Sequence, residues 1–263
     1  MEREYRLDFM LKPSVSNAER QLPLTLLIEQ VIELATDHAN HLGIGFLSME
    51  GKDLGWVLSR LSVEMKRWPK VGEKYTVKTW VETWNRHFSE RCFAVEDPDG
   101  KVLGYVRTVW MVIGLTSHKS YGTAEMQLPE DVVGVRECPI LRQQRHKHFE
   151  PSIVTEYMFK YTDIDFYRHV NTVRYAALML NQFSLEMFDT HHLYRFEIAF
   201  MHEAKYGEKA IINGIKEDVE LVPFPSDPSV DPPGPIKTES FTYEMKVNDN
   251  PIVRSRLFFT KKN

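Results

Sequence analysis

The sequence predicts an α+β chain made of two copies of one unit, each a buried helix followed by a run of antiparallel strands. Three observations carry this. One order of elements is written twice along 263 residues. The two helical stretches are apolar around much of their circumference. The β-rich runs after each helix are parted by turn residues at short spacing. A helix apolar on most sides cannot lie on a solvated surface, so each is expected to be wrapped by its own curved antiparallel sheet. That arrangement, a helix in a bun, is a hot dog, and here it occurs in tandem.

The first half opens with an extended segment, "YRLDFMLKP". "LPLTLLIEQVIELATDHANHLG" then places Leu24, Leu27, Ile28, Val31, Leu34 and Ala35 at helical spacing. "GWVLSRLSVEMKRWP", "YTVKTWVETW", "FSERCFAVED" and "VLGYVRTVWMVIG" follow as strands, with "KVGEK" and "DPDGK" as turns. The second half repeats the plan. "TEYMFKY" is extended and "HVNTVRYAALMLNQFSLEMF" is helical through Val173, Ala176, Leu180, Phe183 and Met187. The strands are "YRFEIAFMHEA", "KAIINGIKEDVELV", "ESFTYEMKV" and "IVRSRLFFT", with "NDNP" turning the last pair. Between the halves, "SYGTAEMQLPEDVVGVRECP" lacks a period and reads as a crossing linker, which sets the expected domains at residues 1–150 and 151–263. "PFPSDPSVDPPGP" is too rich in proline to pair as a central strand and is expected to be an exposed hairpin tip or lid.

Composition narrows the function. A formal net charge of -4 gives no global footprint for nucleic acid, so any anionic partner needs a local basic patch. The opening "MEREYRLDFM" carries charges where a signal peptide has an apolar run, and no stretch is long and apolar enough for a membrane span. A cytoplasmic, unprocessed protein is expected. Cys92 and Cys138 are each isolated in sequence, which builds neither a disulfide framework nor a thiolate zinc site. His191, His192, His202 and Glu203 lack the helical spacing of a metal site, so neither metal nor cofactor is expected. Trp56, Trp80, Trp84 and Trp110 sit among apolar strand neighbours as core or tunnel wall. The basic run "RQQRHKH" is a solvated linker or a surface for an acidic partner.

The chemistry concentrates at the head of the second helix, in "DIDFYRHVN", residues 163–171. If the chain turns into the helix around His169, the Asp165 carboxylate and the His169 ring lie near exposed backbone donors, a set suited to water attack on an activated carbonyl. N-capping by Asp163 or Asp165 is the plainer alternative. The equivalent first-half stretch, "SVSNAERQLPL", lacks the set, so one site per chain is expected, in the second half.

"DIDFYRHVN" followed by "TVRY" resembles the acyl-acyl carrier protein thioesterases, whose motif reads Asp-x-Asn-x-His-Val-Asn-Asn ahead of the second hot dog helix. In that family a Glu follows on the next strand, and "EIAFMHEAKYGE" supplies Glu203 at the matching place. The runs around Trp56, Trp80 and Trp110 are similar to the family's first-half strands, so the resemblance covers residues 5 to 260. It implies hydrolysis of the thioester between a fatty acyl chain and acyl carrier protein, releasing free fatty acid. Asp165, His169 and Glu203 would be catalytic, and Tyr167, Arg168 and Asn171 substrate-binding. The acyl chain would lie in a channel of the first domain, with acyl carrier protein as partner and a homodimer allowed. Three departures stand out. Tyr167 replaces the motif's Asn, so a phenol stands where an amide would orient substrate or water; Thr172 replaces its last Asn; and Ala204 sits where the plant proteins often carry Cys. Acyl coenzyme A hydrolysis and non-catalytic acyl binding are the alternative functions.

Overall fold

The computed structural model describes residues 3–49, 51–117, 119–123, 126, 128, 130–145, 147–225 and 233–262. The chain divides into two compact units, Met1–Leu141 and Arg142–Asn263.

The first unit runs β1 (Glu4–Met10), α1 (Leu24–His41), a single turn α2 (Phe46–Met49), then β2 (Leu54–Met65), β3 (Lys74–Trp84), β4 (Ser89–Glu96) and β5 (Val102–Gly114). Its strands are all antiparallel, in the order β1-β3-β4-β5-β2. The six apolar residues expected to define the α1 face are all buried. The helix ends where Gly43 turns the chain at φ 74°, with the Ile44 N–H closing onto the Ala39 carbonyl at 3.0 Å. Polar groups on the buried face have partners: Gln30 donates to the Tyr75 hydroxyl at 2.8 Å, and the Arg91 guanidinium sits 2.7 Å from His38 Nδ1.

The second unit contains β6 (Ile153–Met158), α3 (Thr172–Leu180), α4 (Leu185–Thr190), β7 (His191–Phe200), β8 (Lys209–Leu221), β9 (Ile236–Val247) and β10 (Asn250–Lys261). The strands are again antiparallel, in the order β6-β8-β9-β10-β7. Numbered within each unit, both sheets therefore read 1-3-4-5-2, with the long helix between strands 1 and 2. This is the tandem hot dog expected from the repeated order of elements. β9 and β10 are joined by Asn248 and Asp249, with φ of 49° and 64°, the left-handed pair that suits a two-residue hairpin. Phe183 lies edge-on to Phe241 at 4.8 Å and tilted on Phe259 at 4.9 Å, closing the core beyond α3.

Several expectations are corrected. The second helix neither starts at His169 nor runs through Met187. Asn171 caps it by accepting from the Val173 N–H at 2.9 Å, and it stops at Leu180, where Asn181 ends it. Ser184 then caps the separate α4 by accepting from the Met187 N–H at 3.3 Å. The side chains of Asn171 and Ser184 bond the local backbone and so set two separate helix starts within a periodicity that apolar spacing alone would continue. Residues 133–140 of the supposed linker are built into the first unit: the Trp80 indole donates to the Arg136 carbonyl at 2.9 Å, and Arg107 donates to the carbonyls of Cys138 and Ile140. Cys92 and Cys138, isolated in sequence, are buried free thiols that lie close to each other in the fold. Of the proline-rich "PFPSDPSVDPPGP", residues 226–232 lie outside the described residues. Among the described residues no helix is long and apolar enough to cross a membrane.

Candidate active site

The segment ahead of α3 is a small closed hairpin. Ile164 and Val170 form an antiparallel bridge. The Asn171 N–H donates to the Asp163 carbonyl at 2.8 Å, the Asp165 N–H to the His169 carbonyl at 2.8 Å, and the Arg168 N–H to the Asp165 carbonyl at 3.0 Å. Arg168 at the tip has φ 68°, a left-handed conformation costing roughly 1 kcal/mol for a residue with a Cβ. Inside this turn the Asp165 carboxylate accepts the main-chain N–H groups of Tyr167 at 2.9 Å and His169 at 3.2 Å through Oδ1. Short polar side chains close turns in this way. Here the closure fixes the direction of a carboxylate.

His169 leaves the turn with its Nε2 3.2 Å from Glu203 Oε2; the imidazole is 23% and the Glu203 side chain 42% exposed. Glu203 follows the end of β7, in the turn that leads to β8, rather than lying on a strand as expected. That turn is tied to the hairpin because the Val170 N–H donates to the Ala204 carbonyl at 2.8 Å. It is also closed on itself by the Glu208 carboxylate, which accepts the Lys205 N–H at 2.7 Å.

Beneath the hairpin lies Asp163, whose side chain is fully buried. Its carboxylate accepts from the Tyr157 hydroxyl at 2.9 Å, the Lys160 N–H at 2.8 Å and the Arg174 guanidinium at 2.8 Å. Burial opposes its ionisation, but these three donors together outweigh burial and hold the carboxyl below the usual carboxylate range. Tyr157 comes from β6, Lys160 from the entry to the hairpin and Arg174 from α3, so one buried charge locks together the segments that flank the site.

The chain matches the acyl-ACP thioesterase N-terminal domain over residues 2–125 and the C-terminal domain of the same enzymes over residues 146–224. The chain belongs to the acyl-ACP thioesterase family. Among its relatives are the chloroplastic acyl-carrier-protein hydrolase FATB3 of Cuphea viscosissima, 23% identical over 76% of this chain and 52% of that one, and the palmitoyl-acyl carrier protein thioesterase of Arabidopsis thaliana, 28% identical over 67% and 46%. The chain thus spans about half the length of these two relatives. An acyl-ACP thioesterase from Bacteroides thetaiotaomicron superposes with a TM-score of 0.82 at 29% identity, covering 98% of both chains. The 12:0-ACP thioesterase of Umbellularia californica shares the fold at 17% identity, with a TM-score of 0.77 over 99% of this chain and 95% of that one.

Within this acyl-ACP thioesterase fold, Asp165, His169 and Glu203 lie together in the second unit. Asn171 is placed as the cap of α3, its Oδ1 committed to the Val173 N–H. Tyr167 is 44% exposed with its ring on Phe166 at 4.0 Å, and Arg168 is exposed at the turn tip. The helix-start donors expected to face substrate are already in use. The N–H groups of residues 167 to 171, 173 and 174 all bond within the protein, because the closed hairpin and the Asn171 cap take them. The amide missing at position 167 is not what holds Asp165, since main-chain groups do so. Two contributors went unnoticed at the level of sequence: Tyr157, and Asp163 as an anchor. For Asp163 a signal was present, a second acidic residue two places before the first.

Proposed function

We propose that the protein hydrolyses the thioester joining a fatty acyl chain to the phosphopantetheine arm of acyl carrier protein, in the cytoplasm, and so ends chain elongation by releasing free fatty acid. The observation that carries this is the Asp165 carboxylate, fixed by two main-chain N–H groups in the turn that also brings His169 to Glu203. Asp165 Oδ2, outside those bonds, is the oxygen that activates water or attacks the carbonyl carbon. His169 moves a proton between the attacking water and the leaving thiolate, with Glu203 orienting its ring and the water. The Asn171 amide N–H₂, left over from capping, donates to the thioester oxygen as negative charge builds there. Tyr167 and Arg168 at the turn tip contact the pantetheine arm. Membership of the family, through both of its domains, supports the substrate class.

Acyl carrier protein is acidic and this chain carries a formal charge of -4, so docking relies on local cations. Arg168 and Lys205 are exposed beside the site, and Arg142, Arg145 and Lys147 are exposed ahead of β6. Arg174 is not part of this docking set, because its guanidinium is bound to Asp163. The test is hydrolysis of a chain-length series of acyl carrier protein and acyl coenzyme A thioesters by the purified protein. A higher kcat/KM for the carrier protein series, falling with ionic strength, is expected. Preference for coenzyme A thioesters would reassign the substrate, and hydrolysis of neither would leave an acyl-binding protein.

A further inference from the structure

We propose that Tyr175 is a positioning residue for the Glu203 carboxylate, an inference that rests on the catalytic role proposed above for Glu203. Tyr175 lies in the first turns of α3, 4% exposed, and its hydroxyl oxygen accepts the Ala204 N–H at 3.2 Å. That N–H belongs to the peptide unit joining Glu203 to Ala204, so the bond fixes the plane from which the Glu203 side chain departs. The far side of Ala204 is held as well, since its carbonyl accepts the Val170 N–H at 2.8 Å. Ala204 is fully buried, so water cannot replace either bond. The Glu203 turn is thus clamped from the helix on one side and from the His169 loop on the other, and the His169 to Glu203 contact of 3.2 Å depends on both.

The Tyr175 ring is held independently of its hydroxyl, against Phe159 at 5.9 Å and Phe200 at 6.0 Å. Burial, with the nearby carboxylates of Glu203, Glu208 and Asp165, pushes the phenol pKa well up despite the Ala204 hydrogen bond. The hydroxyl is therefore neutral throughout the working pH range and serves as a fixed acceptor. Tyr175→Phe keeps the ring packing and removes this acceptor alone, leaving one buried N–H without a partner.

The decisive experiment is a double-mutant cycle in kcat using Tyr175→Phe and Glu203→Gln on one acyl carrier protein substrate, with folding checked by circular dichroism. Tyr175→Phe alone is expected to lower kcat about tenfold with KM changed less than about twofold. In the Glu203→Gln background the same substitution is expected to cost less than about twofold, because the group it positions has already lost its function. Faster hydrogen exchange at the Ala204 amide in Tyr175→Phe would support the clamp directly. An equal loss in both backgrounds, unchanged kcat in Tyr175→Phe, or unchanged exchange at Ala204 would overturn it. Full kcat in Glu203→Gln alone would instead remove the role of Glu203, and this inference with it.

Discussion

Replacing Asp163 by Ala should unlock the site from below. The carboxylate accepts three hydrogen bonds, one from a cation, and its side chain is completely buried. Removing one member of a buried ion pair costs about 3–5 kcal/mol, since the partners keep their desolvation without their acceptor. Two features set the lower end of that range. The Arg174 side chain is 40% exposed and can turn toward water, and the Tyr157 hydroxyl can rotate; the Lys160 N–H cannot. A loss of about 3 kcal/mol lowers Tm by roughly 6–12 °C in a protein of this size. The measurement is thermal unfolding by circular dichroism for wild type and Asp163→Ala between pH 7 and pH 3. Because the folded carboxyl lies below its ordinary value, its contribution is fully present above the unfolded pKa of about 4 and is lost as pH falls through the folded value. The gap in Tm should therefore narrow with acid. A gap under about 2 °C at pH 7, or one that stays constant down to pH 3, would refute the reasoning.

Asn171→Ala removes the cap of α3 and should destabilise by about 1 kcal/mol in denaturant titration. The same variant should lower kcat about tenfold or more if its amide donates to the thioester oxygen, and unchanged kcat would reject that role. Tyr167→Phe should keep kcat within about twofold of wild type, because Asp165 is held by the Tyr167 main chain and not by its phenol; a tenfold loss would show that the hydroxyl acts. Reversing charge at Arg168 and Lys205 together should raise KM for acyl carrier protein substrates while leaving a small thioester unaffected, and added salt should shrink the difference. An equal effect on both substrates would place these cations in the chemistry instead.

Much of this was legible in the sequence because period and turn chemistry act locally. The α1 face, the four long strands after it and the Asn248-Asp249 turn follow from residue spacing alone. Asp165 and His169 stood out because a dense polar set ahead of an apolar helix demands an explanation, whereas Glu203 was reached only through the resemblance of its stretch to the thioesterase family. The missed parts depend on competition between local and distant partners. Whether Asp163 or Asp165 would cap the helix could not be decided from order in the chain, and neither does: Asn171 takes that place, Asp163 is buried under Arg174, and Asp165 closes the turn. The break at Asn181 and Ser184 was hidden because apolar spacing continues across it. The contact between Cys92 and Cys138, and the bond from Ala204 to Tyr175, join residues whose separation in sequence carries no signal at all.

The role of Asp165 is tested most directly by single-turnover hydrolysis of an acyl carrier protein thioester with wild type and Asp165→Asn. Asn can still accept the Tyr167 and His169 N–H groups through its carbonyl oxygen, so the turn and the Tm should be preserved. The variant is expected to bind the substrate normally and to lose at least about 100-fold in the rate of thioester cleavage. A folded Asp165→Asn protein that cleaves the thioester at close to the wild-type rate would contradict the assignment of the chemistry to this carboxylate.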